Sequence, residues 1–163
     1  MKFSSQLLFV ILLLLGSCKS KVAYNYSQEI AAMESSLTPA IHNTETQVAK
    51  FAKEENWDSV KAVSERMEGL IEAKLQKIKG DPAPAVPQGE EFKNASLNYF
   101  KFMSGIYESY RDVAIQSTPE GRQETAGKMM SMLNDKNKVL ADMQAAQREF
   151  AKANGFKIES KKD

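Results

Sequence analysis

The stretch FKNASLNYFKFMSGIYESYRDVA, residues 92–114, decides the fold of this 163-residue chain. Its apolar and small residues recur at steps of three and four, a spacing that places them on one face of a helix. The face is broad and aromatic, and it comprises Phe92, Ser96, Tyr99, Phe100, Met103, Ile106, Tyr107, Tyr110, Val113 and Ala114. We therefore predict a helix over residues 90–117 that buries this face against other helices.

Similar apolar columns predict two helices before this stretch. The first covers residues 24–54, and its column passes through Pro39, where we expect a kink in one helix, with a break into two helices as the alternative. The second covers residues 56–79, with Asn56 as its N-cap. A last helix is predicted over residues 119–154, because its column continues to an Asn-Gly stop signal.

The connections between these helices favour an antiparallel arrangement. GDPAPAVPQG, residues 80–89, holds three of the five prolines and predicts an extended link. Thr118 and Pro119 supply a cap and a proline at the first helical position directly after the third helix. Four amphipathic helices with short connections predict an all-α fold, an antiparallel up-down four-helix bundle over residues 24–159, followed by a charged tail at 160–163.

The N-terminus has the three zones of a secretory signal peptide. Lys2 is followed by an unbroken apolar run from Leu7 to Leu15 and then by the small residues Gly16 and Ser17. The run has nine residues, whereas crossing the hydrocarbon core takes about 20. Residues 1–17 are therefore predicted to be removed as a signal peptide. The 163 residues less these 17 leave 146, enough for one domain with a real core.

The tetrapeptide LGSC, residues 15–18, resembles the lipobox of bacterial lipoproteins. The resemblance implies cleavage between Ser17 and Cys18, a diacylglycerol on the Cys18 thiol and an N-acyl chain on the new amino terminus. Residues 18–23 then form a lipidated tether, and no other cofactor is expected. An ordinary cysteine at the end of an apolar segment is the alternative. A catalytic thiol is disfavoured, because a nucleophilic cysteine needs a neighbouring base and the single histidine, His42, lies 24 residues away.

The residues after Cys18 bear on location. In lipoproteins of Gram-negative bacteria an aspartate after the cysteine commonly retains the protein in the inner membrane; Lys19 stands at that position here, so the resemblance implies the outer membrane. The chain also lacks the acidic run that sends many lipoproteins of the Bacteroidota to the cell exterior. We therefore expect lipid anchoring in the outer membrane, with the periplasmic face favoured over the cell surface.

The charged residues predict neither a nucleic-acid partner nor a metal. Without Lys2, the 22 basic residues become 21, which balance the 21 acidic ones, and no basic stripe alternates with aromatic residues. Metal sites in helical bundles use a Glu-x-x-His pair, but Pro39 stands three residues before His42. His42 is therefore predicted to lie at the surface or its boundary. Since the carboxylate pairs fall at helix ends or on polar faces, no catalytic residue and no enzymatic activity are predicted.

The aromatic and methionine residues of the last two predicted helices are candidates for lining an apolar ligand cavity. Methionine adapts its shape to varied ligands, and a buried tyrosine hydroxyl needs a partner or an exposed rim. Packing in a filled core explains the same residues and is the simpler interpretation. The candidates are Tyr99, Phe100, Met103, Tyr107, Tyr110, Met129, Met130 and Met143.

Three blocks, VAYNYSQEI at 22–30, EFKNASLNYFKF at 91–102 and QREFAKANGFKIE at 147–159, resemble the recurring blocks of a family of small helical lipoproteins from Bacteroidota and Leptospira. The family members are usually described only as surface proteins, which conflicts with the missing acidic export signal. The resemblance implies a lipid-anchored helical protein and carries over no activity, cofactor or catalytic residue.

The sequence leaves two functional hypotheses. The first is a non-enzymatic, lipid-anchored cell-envelope bundle with an interaction or structural role, which binds another envelope protein through an exposed bundle end or the 80–89 segment. The alternative is a periplasmic carrier or sensor that holds a small apolar ligand between the third and fourth helices.

Overall fold

The computed structural model describes residues 4–158, with side chains from residue 19 onwards. The predicted tail at 160–163 lies outside the described residues. Within them every regular element is an α-helix. The helices are α1 (Ser4–Lys53), α2 (Trp57–Gly80), α3 (Gly89–Ala114), α4 (Pro119–Leu133) and α5 (Lys136–Ala153).

The helices form the four antiparallel arms of an up-down bundle. α1, α2 and α3 are one arm each, and α4 with α5 forms the fourth. α2 packs against α1 and α3, α3 packs on both α4 and α5, and α5 also touches α1. The all-α four-helix bundle predicted from the sequence is thus confirmed, with its fourth arm interrupted. We call the end with the 80–89 connection and the end of α5 the Tyr24 end, and the end with the α1–α2 and α3–α4 turns the Trp57 end.

The first arm is one helix. α1 continues through Pro39, so the alternative of two helices is wrong. Pro39 lies on the exposed face, where its missing N–H removes only the bond to the Ser35 carbonyl. Leu37 before it and Val48 after it are both buried in the bundle. Packing on either side of the proline therefore holds the helix together across it.

α1 also begins at Ser4, long before the predicted start at residue 24. The predicted tether over residues 18–23 is consequently part of a helix. No proline interrupts this segment, and Ala23 is fully buried against the core, which fixes the helix at this point. Ser17 and Cys18 belong to the part of α1 whose side chains lie outside the described residues.

Side-chain caps fix the starts of α2 and α4, and the residue before Pro119 accounts for the early end of α3. The side-chain Oδ1 of Asn56 accepts a hydrogen bond from the Ser59 N–H at 3.1 Å, which confirms Asn56 as the N-cap of α2. Thr118 Oγ1 accepts from the Gly121 N–H at 3.1 Å. Because Thr118 precedes a proline, its backbone is extended, and α3 ends at Ala114 instead of at residue 117.

The prediction of a single helix over residues 119–154 is wrong, because the helix is interrupted at Asn134 and Asp135. Asn and Asp are both weak helix formers, so two in succession favour an interruption at this point. Among the residues of α4 only Met129 is buried, so little packing opposes the break.

An aromatic cluster closes the core at the Tyr24 end. The Phe92 and Phe150 rings stack with centroids 4.8 Å apart, and Tyr26 meets them edge-on at 5.9 and 6.3 Å. Phe156 packs edge-on against Phe150 at 5.9 Å and against Tyr24 at 5.7 Å. These five rings join α1, α3, α5 and the segment that follows α5.

Candidate functional site

A groove runs between α1 and α5, where two arms of the bundle stand apart. It consists of three hollows, and neighbouring hollows share lining residues: Glu34 belongs to the first and second, Tyr99 and Leu140 to the second and third. On α1 the lining extends from Ser27 to Glu45, a length of about 27 Å at 1.5 Å per residue. We call this feature the α1–α5 groove; its floor comes from α3.

The half of the groove nearest the Tyr24 end is polar. Its hollow has a volume of about 610 Å³, and Gln147 Nε2 on α5 donates across it to Ser27 Oγ on α1 at 3.5 Å. Hydroxyl and amide groups on these walls are suited to hydrogen bonding with a polar partner. The lining comprises Ser27, Gln28, Ala31, Glu34, Ser35, Thr38, Gln147, Phe156, Lys157 and Ile158.

The other half of the groove is apolar. Its hollow has a volume of about 170 Å³ and is lined by Ile41, Glu45, Tyr99, Phe102, Met103, Ile106, Tyr107, Lys136 and Leu140. Its two charged side chains, Glu45 and Lys136, belong to exposed residues, whereas Met103 and Tyr107 are buried. Leu140 is 38% exposed although it forms part of an apolar wall. An aliphatic or aromatic group fits this half best.

Tyr99 stands where the two halves meet. Its hydroxyl donates to Glu34 Oε1 at 2.6 Å, and the pair bridges α3 and α1. Burial, followed by the hydrogen bond to the Glu34 carboxylate, raises the pKa of Tyr99 well above its ordinary value. Burial and the nearby Glu45 likewise raise the pKa of Tyr107. Both hydroxyls therefore remain protonated donors at neutral pH.

Four of the predicted ligand-lining residues contribute to the groove. Tyr99, Met103 and Tyr107 meet at its apolar hollow, and Met143 lines a middle hollow of about 150 Å³ together with Tyr99. These side chains come from α3 and α5, but the hollows that they line also have a wall on α1, so they do not lie between the third and fourth arms alone.

The other four lie elsewhere. Phe100 is fully buried in the core. Tyr110 packs against two groups of core residues, one that includes Tyr107 and one that includes Val60. Met129 is buried beneath α4, but Met130, one position further around that helix, is 62% exposed. Met130 is consequently no part of the lining, because one helix position turns the side chain by about 100°.

The wall on α1 was not predicted. Ala31, Ser35 and Thr38 follow one another at helical spacing beside the buried column of α1, and all three line the polar hollow. Small and polar residues next to a core column are a signal of a helix that does not pack closely on that side. The sequence pattern could have revealed this wall.

The 80–89 segment, predicted as an interaction segment, is held against the bundle. Asn154 Nδ2 donates to the Pro87 carbonyl at 2.9 Å, and Lys93 Nζ donates to the Asp81 carbonyl at 2.7 Å. A Cβ on Gly89 would lie 2.3 Å from the Pro84 carbonyl oxygen, so only glycine fits there. These contacts restrict the backbone that a partner would have to engage.

Among the described residues, no three His, Cys, Asp or Glu side chains form a group able to hold a metal ion. His42 is exposed on α1, which confirms its predicted surface position. Within residues 19–158, where the structure describes side chains, no helix is both long and apolar enough to cross a membrane.

Comparisons with models of known protein families, with curated proteins and with solved structures found no match for this chain. The resemblance to the helical lipoproteins therefore stays a prediction. Function has to be argued from the groove and from the sequence.

Proposed function

We propose that this chain is a lipid-anchored, non-enzymatic protein of the cell envelope that binds a segment of another envelope protein in the α1–α5 groove. The groove carries the proposal, because two arms of an otherwise well-packed bundle stand apart along it over about 27 Å. The likeness of LGSC at 15–18 to a lipobox supports the anchor. Lys19 favours the outer membrane, and the lack of an acidic run after Cys18 favours its periplasmic face.

The residues that line the groove indicate the chemistry of the partner segment. A helix of about 18 residues matches the length of the groove at 1.5 Å per residue. Apolar side chains at one end of that helix would fill the hollow beside Leu140, and polar side chains at the other end would meet Ser27 and Gln147. The Glu34 carboxylate accepts a hydrogen bond from the Tyr99 hydroxyl through one oxygen, and its second oxygen can accept one from a basic side chain of the partner. Amphipathic helices in grooves are a common recognition mode.

A photo-crosslinking amino acid at Thr38, exposed in the groove, tests this proposal in whole cells. The matched control places the same group at Ala62, which is exposed on α2. We expect a discrete adduct from Thr38 and none from Ala62. A Leu140→Glu substitution places a charge in the apolar hollow and should abolish the adduct while circular dichroism shows unchanged helix content. Equal adducts from both positions, or an adduct that survives the substitution, would contradict the proposal.

A second candidate function is the carriage or sensing of a small apolar ligand. The hollow of about 170 Å³ that includes Tyr99, Met103 and Tyr107 favours it, since an apolar cavity of about 150 Å³ admits a ligand the size of benzene. Native mass spectrometry of protein extracted from its own membranes would then detect a ligand that dissociates on activation. Ile106→Trp fills the hollow and should remove that mass without unfolding the chain. No bound mass in either protein would exclude this candidate.

A further inference from the structure

The Tyr24 end carries an exposed apolar patch. Val22, Tyr24 and Ile158 are 50%, 44% and 38% exposed. The edge-on contact between Tyr24 and Phe156, at 5.7 Å, brings the beginning of the packed part of α1 next to the end of the described chain. The three side chains therefore surround the same end of the bundle, with Val22 on the other side of α1 from Tyr24 because two helix positions turn a side chain by about 200°; we call them together the Tyr24 patch.

Basic side chains accompany this patch. Lys19 and Lys21 on α1 and Lys157 beside Ile158 are all exposed. The acidic residues at the same end of the bundle are Glu29, Asp81, Glu90, Glu91 and Glu149. Lys77 pairs with the carboxylates of Glu29 and Asp81, both at 2.6 Å, and Glu90 and Glu91 begin α3. Glu149 lies one turn back from the end of α5, so the three lysines make the edge formed by the start of α1 and the chain end the basic edge.

The geometry points to a membrane surface as the partner of the Tyr24 patch: we propose that the patch inserts into the headgroup region of an anionic bilayer. This inference rests on the proposed anchor at Cys18. Val22 follows Cys18 by one helical turn, about 6 Å along the axis, and α1 is helical throughout, so no extended link separates the two. A lipid on Cys18 would therefore bring the patch to the bilayer.

The residue types in the patch suit this environment. A tyrosine ring has an apolar body and a polar hydroxyl, and it is enriched at the level of the headgroups. Lysines next to apolar residues are attracted to anionic lipid. The bundle is then seated directly on the membrane, with the polar half of the α1–α5 groove near the surface. The Trp57 end lies roughly 44 Å further out along α1.

The chain offers its own control for a fluorescence test, since its single tryptophan lies at the far end. The acylated protein is isolated from membranes and placed in vesicles of equal parts phosphatidylcholine and phosphatidylglycerol with brominated acyl chains. Tyr24→Trp in a Trp57→Phe background reports on the patch, and Trp57 in the unaltered chain reports on the opposite end. Circular dichroism checks that both proteins fold.

We expect Trp at position 24 to be quenched roughly threefold or more beyond Trp57, because interfacial rings lie close to the acyl chains. Protein that floats with the vesicles while both tryptophans stay unquenched would overturn the seating but leave the anchor in place. Equal quenching of both would also overturn it, because the bundle would then lie flat. Failure to float would overturn the anchor and the seating together. Self-association through the patch would show as a blue shift at position 24 without vesicles, and would likewise contradict the proposal.

Discussion

The Tyr24 end and α4 differ sharply in how they are held. At the Tyr24 end, Phe92 and Phe150 are fully buried and belong to a cluster of five rings from several parts of the chain. α4 has 15 residues, of which only Met129 is buried, and it packs mainly on α3. α5 continues the same arm and also packs mainly on α3, but it buries Met143, Phe150 and Ala151.

This difference shows what makes an arm of the bundle firm. A helix that buries several large side chains draws most of its stability from their apolar contacts. A helix that buries only one relies more on its caps and on its intrinsic propensity. The break at Asn134 and Asp135 separates these two regimes within one arm.

The largest expected effect comes from the ring cluster. Phe150→Ala should lower the free energy of unfolding by about 3–5 kcal/mol, because it removes a fully buried ring and leaves a cavity. Met130→Ala on α4 is the matched control, and with 62% of Met130 exposed we expect a change within about 0.5 kcal/mol. Urea unfolding followed by circular dichroism measures both. Similar losses from the two substitutions would break the comparison.

Substitutions at two glycines test the comparison between the Tyr24 end and α4 further. Gly155 has a φ of +70°, so Gly155→Ala should destabilise the chain by about 1–2 kcal/mol through backbone strain. Gly127 lies within α4, and a Cβ there would meet nothing within 4 Å. Gly127→Ala should therefore stabilise the protein, by up to about 1 kcal/mol. Thermal unfolding measures the two shifts, and shifts of the same sign would contradict the assignment of either glycine.

Removing either helix cap should cost about 1 kcal/mol of stability, but the two losses should affect different parts of the molecule. Asn56→Ala removes the cap of α2, which packs between two arms, and should lower global stability. Thr118→Ala removes the cap of α4 and should mainly increase local opening of that helix. Hydrogen exchange separates the two cases. Global destabilisation by Thr118→Ala would show that α4 unfolds together with the bundle.

The smallest expected effect at neutral pH comes from Tyr26. Burial, followed by the nearby acids, raises its pKa from 10.0 to about 12. Between these pH values the unfolded chain has lost the proton that the folded chain retains, so the free energy of unfolding falls as pH rises from 10 to 12. The Tyr26 hydroxyl has no hydrogen-bond partner among the described residues. Tyr26→Phe should therefore keep stability at neutral pH and weaken the alkaline loss in urea titrations. An unchanged alkaline loss would contradict the role of Tyr26.

The helices that form the arms of the bundle could be predicted from the sequence, because their buried residues recur at helical spacing. The α3 column from Phe92 to Tyr107 and the Asn56 cap are local patterns with local causes. The interruption of the fourth arm depends on how little α4 buries, which only its neighbours determine. The continuity of α1 through Pro39 depends in the same way on packing before and after the proline.

The candidate site was predicted in part for a similar reason. Tyr99, Met103 and Tyr107 lie on the broad face that the sequence displays, and they do meet at a hollow. The small and polar residues of α1 indicate a loosely packed side, but which residues of α5 face it, such as Leu140, depends on how the two helices are arranged. Met130 shows the converse limit, because neighbouring methionines cannot both face the same side of a helix.

Hydrogen exchange with mass spectrometry on the full chain tests most directly the claim that α5 is firmly held and α4 is not. Peptides from residues 143–153 should exchange only through global unfolding, since Phe150 and Ala151 are buried there. Peptides from residues 119–133 should exchange much faster, through local opening. If both sets of peptides exchanged at the same slow rate, α4 would be as firmly held as α5, and the account would be contradicted.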